Sequence, residues 1–149
     1  MMRRSLLLTA LAGALGPGAA PATAADPQAR GPDGLPLIFW LIKSGDRAGV
    51  EAWLDAGGDI EASGYHGATP ILAAAVIDDW PMVLRLAARG GRLDITDGRG
   101  FSLAWLNLRS RVDLTGPYGP PLLEARALLA RAGLLDAVRS PAEIRAARP

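Results

Sequence analysis

The chain has 149 residues, with 16 basic against 15 acidic side chains, one histidine and no cysteine. That length suits one domain, and the absence of cysteine excludes disulfides, thiolate zinc sites and a lipid-bearing cysteine. The even charge balance gives no electrostatic case for nucleic acid as a partner.

Met1 to Arg4 carries two positive charges and no acid, and Ser5 to Leu15 is an apolar run. Gly16-Pro17-Gly18 ends that run, and Ala22-Thr23-Ala24 offers small residues at cleavage-site spacing. Together these read as a secretory signal peptide, 1–24, cut after Ala24. The run is about 11 residues where a spanning helix needs roughly 20, so no membrane span is expected once the signal is removed. Arg3-Arg4 also gives a loose match to a twin-arginine signal, which leaves the export route open. The expected location is periplasmic or secreted. Removal takes away two arginines and no acid, leaving 14 basic against 15 acidic residues.

Residues 25–33 read as a flexible lead-in, because Asp26 to Pro36 is rich in proline, glycine and alanine. Three units then follow in 34–136, aligned on Gly34, Gly67 and Gly100, which stand 33 residues apart. A fixed period of this length marks a chain built from one stacked unit.

The first unit, 31–62, has an apolar helix over Leu37 to Lys43 that stops at Ser44-Gly45-Asp46. A second helix carries Val50, Trp53 and Leu54 at helical spacing and ends at Gly57-Gly58. In the second unit, 63–95, Thr69 is expected to cap the first helix through its hydroxyl, with Pro70 at the first helical position. Ala73, Ala74 and Ala75 allow close helix approach. Asp78-Asp79 marks the turn, Pro81 opens the second helix, and Gly90-Gly91 repeats Gly57-Gly58 at the same offset. The third unit, 96–136, has Leu103, Leu106 and Leu108 in its first helix and a second helix over Leu122 to Ala132, closed by Gly133. The ten residues beyond the period fall in an enlarged loop, 110–121. In 137–149, Ser140-Pro141-Ala142-Glu143 is a capping box that predicts a short closing helix over about Pro141 to Ala147, covering the exposed end.

Gly64-Tyr65-His66-Gly67-Ala68-Thr69-Pro70-Ile71-Leu72-Ala73-Ala74-Ala75 resembles an ankyrin repeat. Gly67, Thr69, Pro70, Ala74, Gly90 and Leu93 match that pattern in the second unit. Gly34, Leu54, Gly57, Asp59 and Ile60 match in the first, and Asp97, Gly100, Ser102 and Gly133 in the third. Leu72 replaces the usual histidine, which implies weaker polar stitching between units. The resemblance implies an all-α fold, a solenoid of stacked helix-turn-helix units with short hairpin loops. It also implies a binding scaffold and not an enzyme, with contacts from the hairpin tips and the inner-helix face. In the first unit those positions are Asp33, Leu35, Lys43 and Ser44. In the second they are Tyr65, His66, Ala68, Val76 and Ile77. In the third they are Arg99, Phe101, Arg109 and Ser110, and Tyr118 stands in the enlarged loop. The expected function is protein–protein interaction, as an accessory or immunity-type partner of another exported protein. The chain is expected to be a monomer when free, with no cofactor and no metal.

Two other readings compete. One is a small hydrolase or ligand-binding enzyme using His66 with Asp78 or Asp97. The other is a self-associating structural component of the envelope. His66 reads more simply as a polar hairpin-tip residue, because no metal-ligand spacing surrounds it. Asp78-Asp79 lacks the further oxygen ligands a cation needs and reads as a helix-capping pair. Trp40 and Trp53 are expected to pack within the first unit, with Trp80 the most exposed tryptophan. Arg126, Arg131, Arg139, Arg145 and Arg148 read as a solvated basic face.

Overall fold

A computed structural model describes residues 26–149; the signal peptide expected in 1–24 lies outside them. The described chain is all-α, with helices α1 (Leu37–Lys43), α2 (Arg47–Asp55), α3 (Pro70–Val76), α4 (Trp80–Ala88), α5 (Leu103–Arg109), α6 (Gly119–Arg131) and α7 (Pro141–Ala146). Helices α1, α3 and α5 begin and end 33 residues apart, and so do α2 and α4. The helices pair as α1 with α2, α3 with α4 and α5 with α6. Helix α3 also lies against α1 and α5, and α4 lies against α6.

The period holds in the hydrogen bonds as well. Three hairpins close through Gly31 N to Leu35 O (2.8 Å), Gly64 N to Ala68 O (2.8 Å) and Asp97 N to Phe101 O (3.1 Å). At each tip the glycine of the 33-residue series has positive φ: +79° at Gly34, +69° at Gly67 and +88° at Gly100. A side chain there would meet the following carbonyl, which is why the tip selects glycine. At the end of α2, Gly57 N donates to Leu54 O and Gly58 N to Trp53 O, both at 3.0 Å. One period later Gly90 N donates to Ala87 O and Gly91 N to Leu86 O, at 3.0 and 2.9 Å. This two-bond closure satisfies carbonyls the helix itself leaves free.

The turns inside the first two units also correspond. Asp46 caps α2 by accepting from Gly49 N at 2.8 Å, and Asp79 caps α4 by accepting from Met82 N at 3.2 Å. Where the first turn has Gly45 at φ +72°, the second has Asp78 at +57°. Aspartate is among the few residues that tolerate this region. Its Oδ1 accepts from Trp80 Nε1 (3.0 Å) and from Ser110 Oγ (2.6 Å), so the strained residue ties the second unit to the third.

The core runs through all three pairs and contains Ile38, Val50, Trp53, Ile71, Leu72, Trp80, Met82, Leu86, Leu103, Leu122 and Leu129, each at most 2 % exposed. Each such side chain contributes about 1.5–3 kcal/mol by leaving water.

Several expectations need correction. Asp26–Pro36 is folded rather than a flexible lead-in. Ala29 N bonds Asp26 O, Leu37 N bonds Ala29 O, and Arg30 bridges Pro36 as Thr96 bridges Ser102 two periods on. Trp80 is fully buried, because the turn at Asp78 swings it inward and its indole N–H finds the Asp78 carboxylate. Trp40 is the exposed one, 37 % accessible, on α1, which no further helix covers among the described residues, with the Lys43 ammonium 5.5 Å over its ring. The Thr69 hydroxyl caps nothing and is buried with no partner among the described residues. The helix start rests on Pro70 and the Ala73 N to Thr69 O bond of 2.9 Å. The enlarged loop is shorter than 110–121, since α6 already begins at Gly119. Pro120 and Pro121 belong to its first turn, where the amides they lack would have no helical acceptor.

Candidate functional site

The hairpins and the inner helices α1, α3 and α5 meet along one face. A groove of about 330 Å³ runs there, with Asp33 and Leu35 from the first hairpin, Tyr65 and His66 from the second, and Arg99 from the third. Lys43 closes α1, and Val76 and Ile77 close α3, on the same groove. Tyr65 is 65 % exposed, Ile77 50 % and Val76 47 %. Exposed large apolar side chains grouped on one face are an unusual thing for a small chain to leave in water.

The structure therefore gathers Tyr65, His66, Val76, Ile77 and Arg99 from three segments distant in sequence, together with Asp33, Leu35 and Lys43. Ala68 also borders this groove, but it is buried at 6 % exposure. Its amide and carbonyl hold the second hairpin closed, so its methyl group forms floor and presents no contact surface. Phe39, also buried, and Ala73 complete that floor. Phe101 and Arg109 lie outside the groove. The Arg99 guanidinium stands 4.9 Å from the Phe101 ring centre, and the Arg109 guanidinium 4.6 Å from that of Trp105. Such pairs hold a cation and a ring together by about 0.5–1 kcal/mol at exposed sites.

Tyr118 belongs to a neighbouring groove of about 530 Å³, formed where the 110–118 loop folds back on the turns after α1 and α3. Ser44, Gly45, Asp78, Asp113 and Pro117 line it, and Ile42, Lys43 and Ile77 border both grooves. The loop is braced within itself. Asp113 accepts from the Thr115 amide and hydroxyl at 2.9 and 2.8 Å, bonds that hold its carboxyl below the ordinary range. Beneath it, Arg47 donates to Asp79 at 3.1 Å. Asp79 first, and then the Tyr118 hydroxyl, raise the Arg47 guanidinium above its ordinary pKa.

His66 has an exposed side chain and a strained backbone, φ +54°, and its carbonyl accepts from Gly98 N at 2.6 Å. The carboxylates considered as catalytic companions are engaged elsewhere. Asp97 is 2 % exposed and accepts from the Arg99 and Phe101 amides and from Arg99 Nε. Asp78 is held by Trp80 and Ser110. Neither lines the groove that His66 borders; Asp33 does, and its Oδ1 accepts from Leu35 N at 3.1 Å. Among the described residues no group of three or more histidine, cysteine or carboxylate side chains is placed to hold a metal. No described helix is long and apolar enough to cross a membrane.

Sequence reasoning missed two polar arrangements. Asn107 is fully buried in α5, donates to Leu122 O at 3.2 Å and accepts from Arg126 Nε at 2.9 Å, locking α5 to α6. An asparagine inside a leucine-rich helix was the available signal. Arg145 and Arg148 read as solvated by sequence, yet they bind backbone carbonyls of the third hairpin. Nothing in their spacing announced this. Comparison with known proteins finds no matching family model and no significantly similar curated protein.

Proposed function

We propose that this chain is an exported scaffold of the ankyrin-repeat type that binds another protein through the face formed by its hairpin tips and inner helices. The observation that carries the reading is the cluster of Tyr65, Val76 and Ile77, each about half exposed or more, on one groove assembled from three units. Support for the repeat reading comes from the 33-residue recurrence of helix bounds, hairpin bonds and positive-φ glycines. A frame built in this way holds its surface ready, so binding costs little ordering entropy. Aromatic and aliphatic groups at the centre, rimmed by Lys43, Asp33 and His66, fit the usual anatomy of a protein interface. The partner is another exported protein, and the role is an accessory or immunity-type one.

Affinity capture from an envelope extract tests this, run in parallel with the unmodified chain, Ile77→Asp and Leu123→Asp. Leu123 is 44 % exposed on α6 and borders neither groove. The unmodified and Leu123→Asp chains should recover the same protein, and Ile77→Asp should lose at least tenfold of it. Equal recovery by all three would remove the groove from the account.

A further inference from the structure

The third helix pair departs from the period at one place. Three residues join α1 to α2 and three join α3 to α4, whereas nine, 110–118, join α5 to α6. The longer loop folds back on the two shorter turns and walls the groove of about 530 Å³. It is fixed at both ends. Ser110 Oγ donates to Asp78 Oδ1 at 2.6 Å, and the Tyr118 hydroxyl meets the Arg47 guanidinium. The Leu114 carbonyl packs on Gly119, where a Cβ would overlap it.

The walls are apolar, made by Ile42, Ile77, Val112 and Pro117 with the exposed ring of Tyr118. Three carboxylates stand among them in unequal states. Asp79 is matched by Arg47 at 3.1 Å. Asp78 and Asp113 meet only neutral donors, Trp80 and Ser110 for the one and Thr115 for the other, and all these bonds fall on Oδ1. Neither carboxylate is in an ion pair among the described residues. Lys43 also borders the groove, but its ammonium stands over the ring of Trp40, which does not line it. Arg111, in the same loop, does not line it either.

An apolar slot with an aromatic ring and two carboxylates lacking counter-ions is the complement of a flat cation on an aliphatic stem. Arginine fits this better than lysine does. Its guanidinium is more weakly hydrated, stacks on aromatic faces and offers paired N–H donors to carboxylate oxygens. A tyrosine ring adds attraction when the cation lies within about 6 Å of its centre.

We propose that this groove is a second docking site, which takes an arginine side chain of the bound partner protein. The inference rests on the reading of the chain as a protein-binding scaffold. Ile42, Lys43 and Ile77 border both grooves, so a partner segment lying across them reaches the hairpin tips and the loop together. The nine-residue loop makes the site, and the first two units have no counterpart to it.

Nuclear magnetic resonance titration of the mature chain with N-acetyl-arginine methylamide tests the site, beside the citrulline analogue, which is similar in shape and uncharged. The arginine probe should shift the amides of Gly45, Val112 and Tyr118 to saturation, and the citrulline probe should bind at least fivefold more weakly. Asp78→Asn and Asp113→Asn keep the Oδ1 acceptors, and asparagine tolerates the positive φ of position 78. Combined, they should weaken the arginine probe at least tenfold. Glu124→Gln, which borders neither groove, should leave it unchanged. Equal binding of the two probes, no saturable shift at those amides, or an equal loss in Glu124→Gln would overturn the proposal. Affinity capture separates it from the reading it rests on. Tyr65→Ala, confined to the hairpin groove, and the Asp78→Asn/Asp113→Asn chain should both lose the partner. Loss by Tyr65→Ala alone overturns the second site and leaves the hairpin groove standing. Loss by the Asp78→Asn/Asp113→Asn chain alone keeps the second site and removes the hairpin groove, and loss by neither overturns both.

Discussion

The second and third hairpins have the same backbone and opposite surroundings. Both close through the same bond and turn on a glycine of positive φ. At the second, Tyr65 and His66 stand in water, and Gly67 has no atom within 4 Å of where a Cβ would be. At the third, Arg145 and Arg148 grip the carbonyls, Arg99 is bound to Asp97, and Pro141 presses on Gly100. The repeat fixes how a hairpin is shaped, and the neighbours decide whether it is available. The same contrast holds for the units beneath. The α3–α4 pair has a helix pair on each side, while the α5–α6 pair has one on one side and the short α7 beside its hairpin.

The largest expected effect sharpens that contrast in the core. Leu86 in α4 and Leu129 in α6 occupy equivalent places before their closing glycines, and both are at most 1 % exposed. Leu86→Ala should cost about 4 kcal/mol and Leu129→Ala about 3 kcal/mol by urea unfolding, because the middle pair has fewer ways to relax around a cavity. Equal costs would show that the end pair is held as firmly as the middle one.

A smaller effect separates the hairpin tips. Gly67→Ala should cost about 1 kcal/mol, from its left-handed backbone alone. Gly100→Ala carries the same strain and also drives a methyl group into Pro141 O, so it should cost about 2–3 kcal/mol. If the two melt alike, the closing segment does not rest on the third hairpin.

The smallest effect is local and depends on pH. The Ser140 hydroxyl first, and its amide second, hold the Glu143 carboxyl below the ordinary range. A carboxyl with a depressed folded-state pKa stabilises fully above its unfolded value and loses that contribution as pH falls through the folded one. Helix α7 should therefore fray as pH drops below about 4.3, while α6 stays intact. Amide exchange at Ile144 should accelerate relative to Leu129. Parallel acceleration at both would mean that the two segments open as one.

Much of this architecture was legible because glycine and proline report backbone geometry directly. Gly57, Gly90 and Gly133 end their helices at positive φ, as a glycine standing just past a helical run predicts. The reading α1 over Leu37 to Lys43 coincides with the helix found. Legibility failed where tertiary packing overrode a local signal. Trp80 sits in a polar turn by sequence, yet it is buried because Asp78 and Ser110 accept its N–H. The resemblance implies Ala68 as a contact position, but its side chain is buried at 6 % exposure. The arginines of the closing segment have no sequence-local partner at all; Arg148 meets its carbonyl acceptors about fifty residues away.

The central claim is that the groove between hairpin tips and inner helices is where another protein binds. A photo-crosslinking residue placed at Tyr65, and in a control chain at Leu123, tests it most directly in the native cell. The account predicts one discrete crosslinked protein from position 65, none from position 123, and loss of the adduct when Ile77→Asp is added. The same adduct from both positions, or none from position 65 while the folded chain accumulates normally, would contradict it.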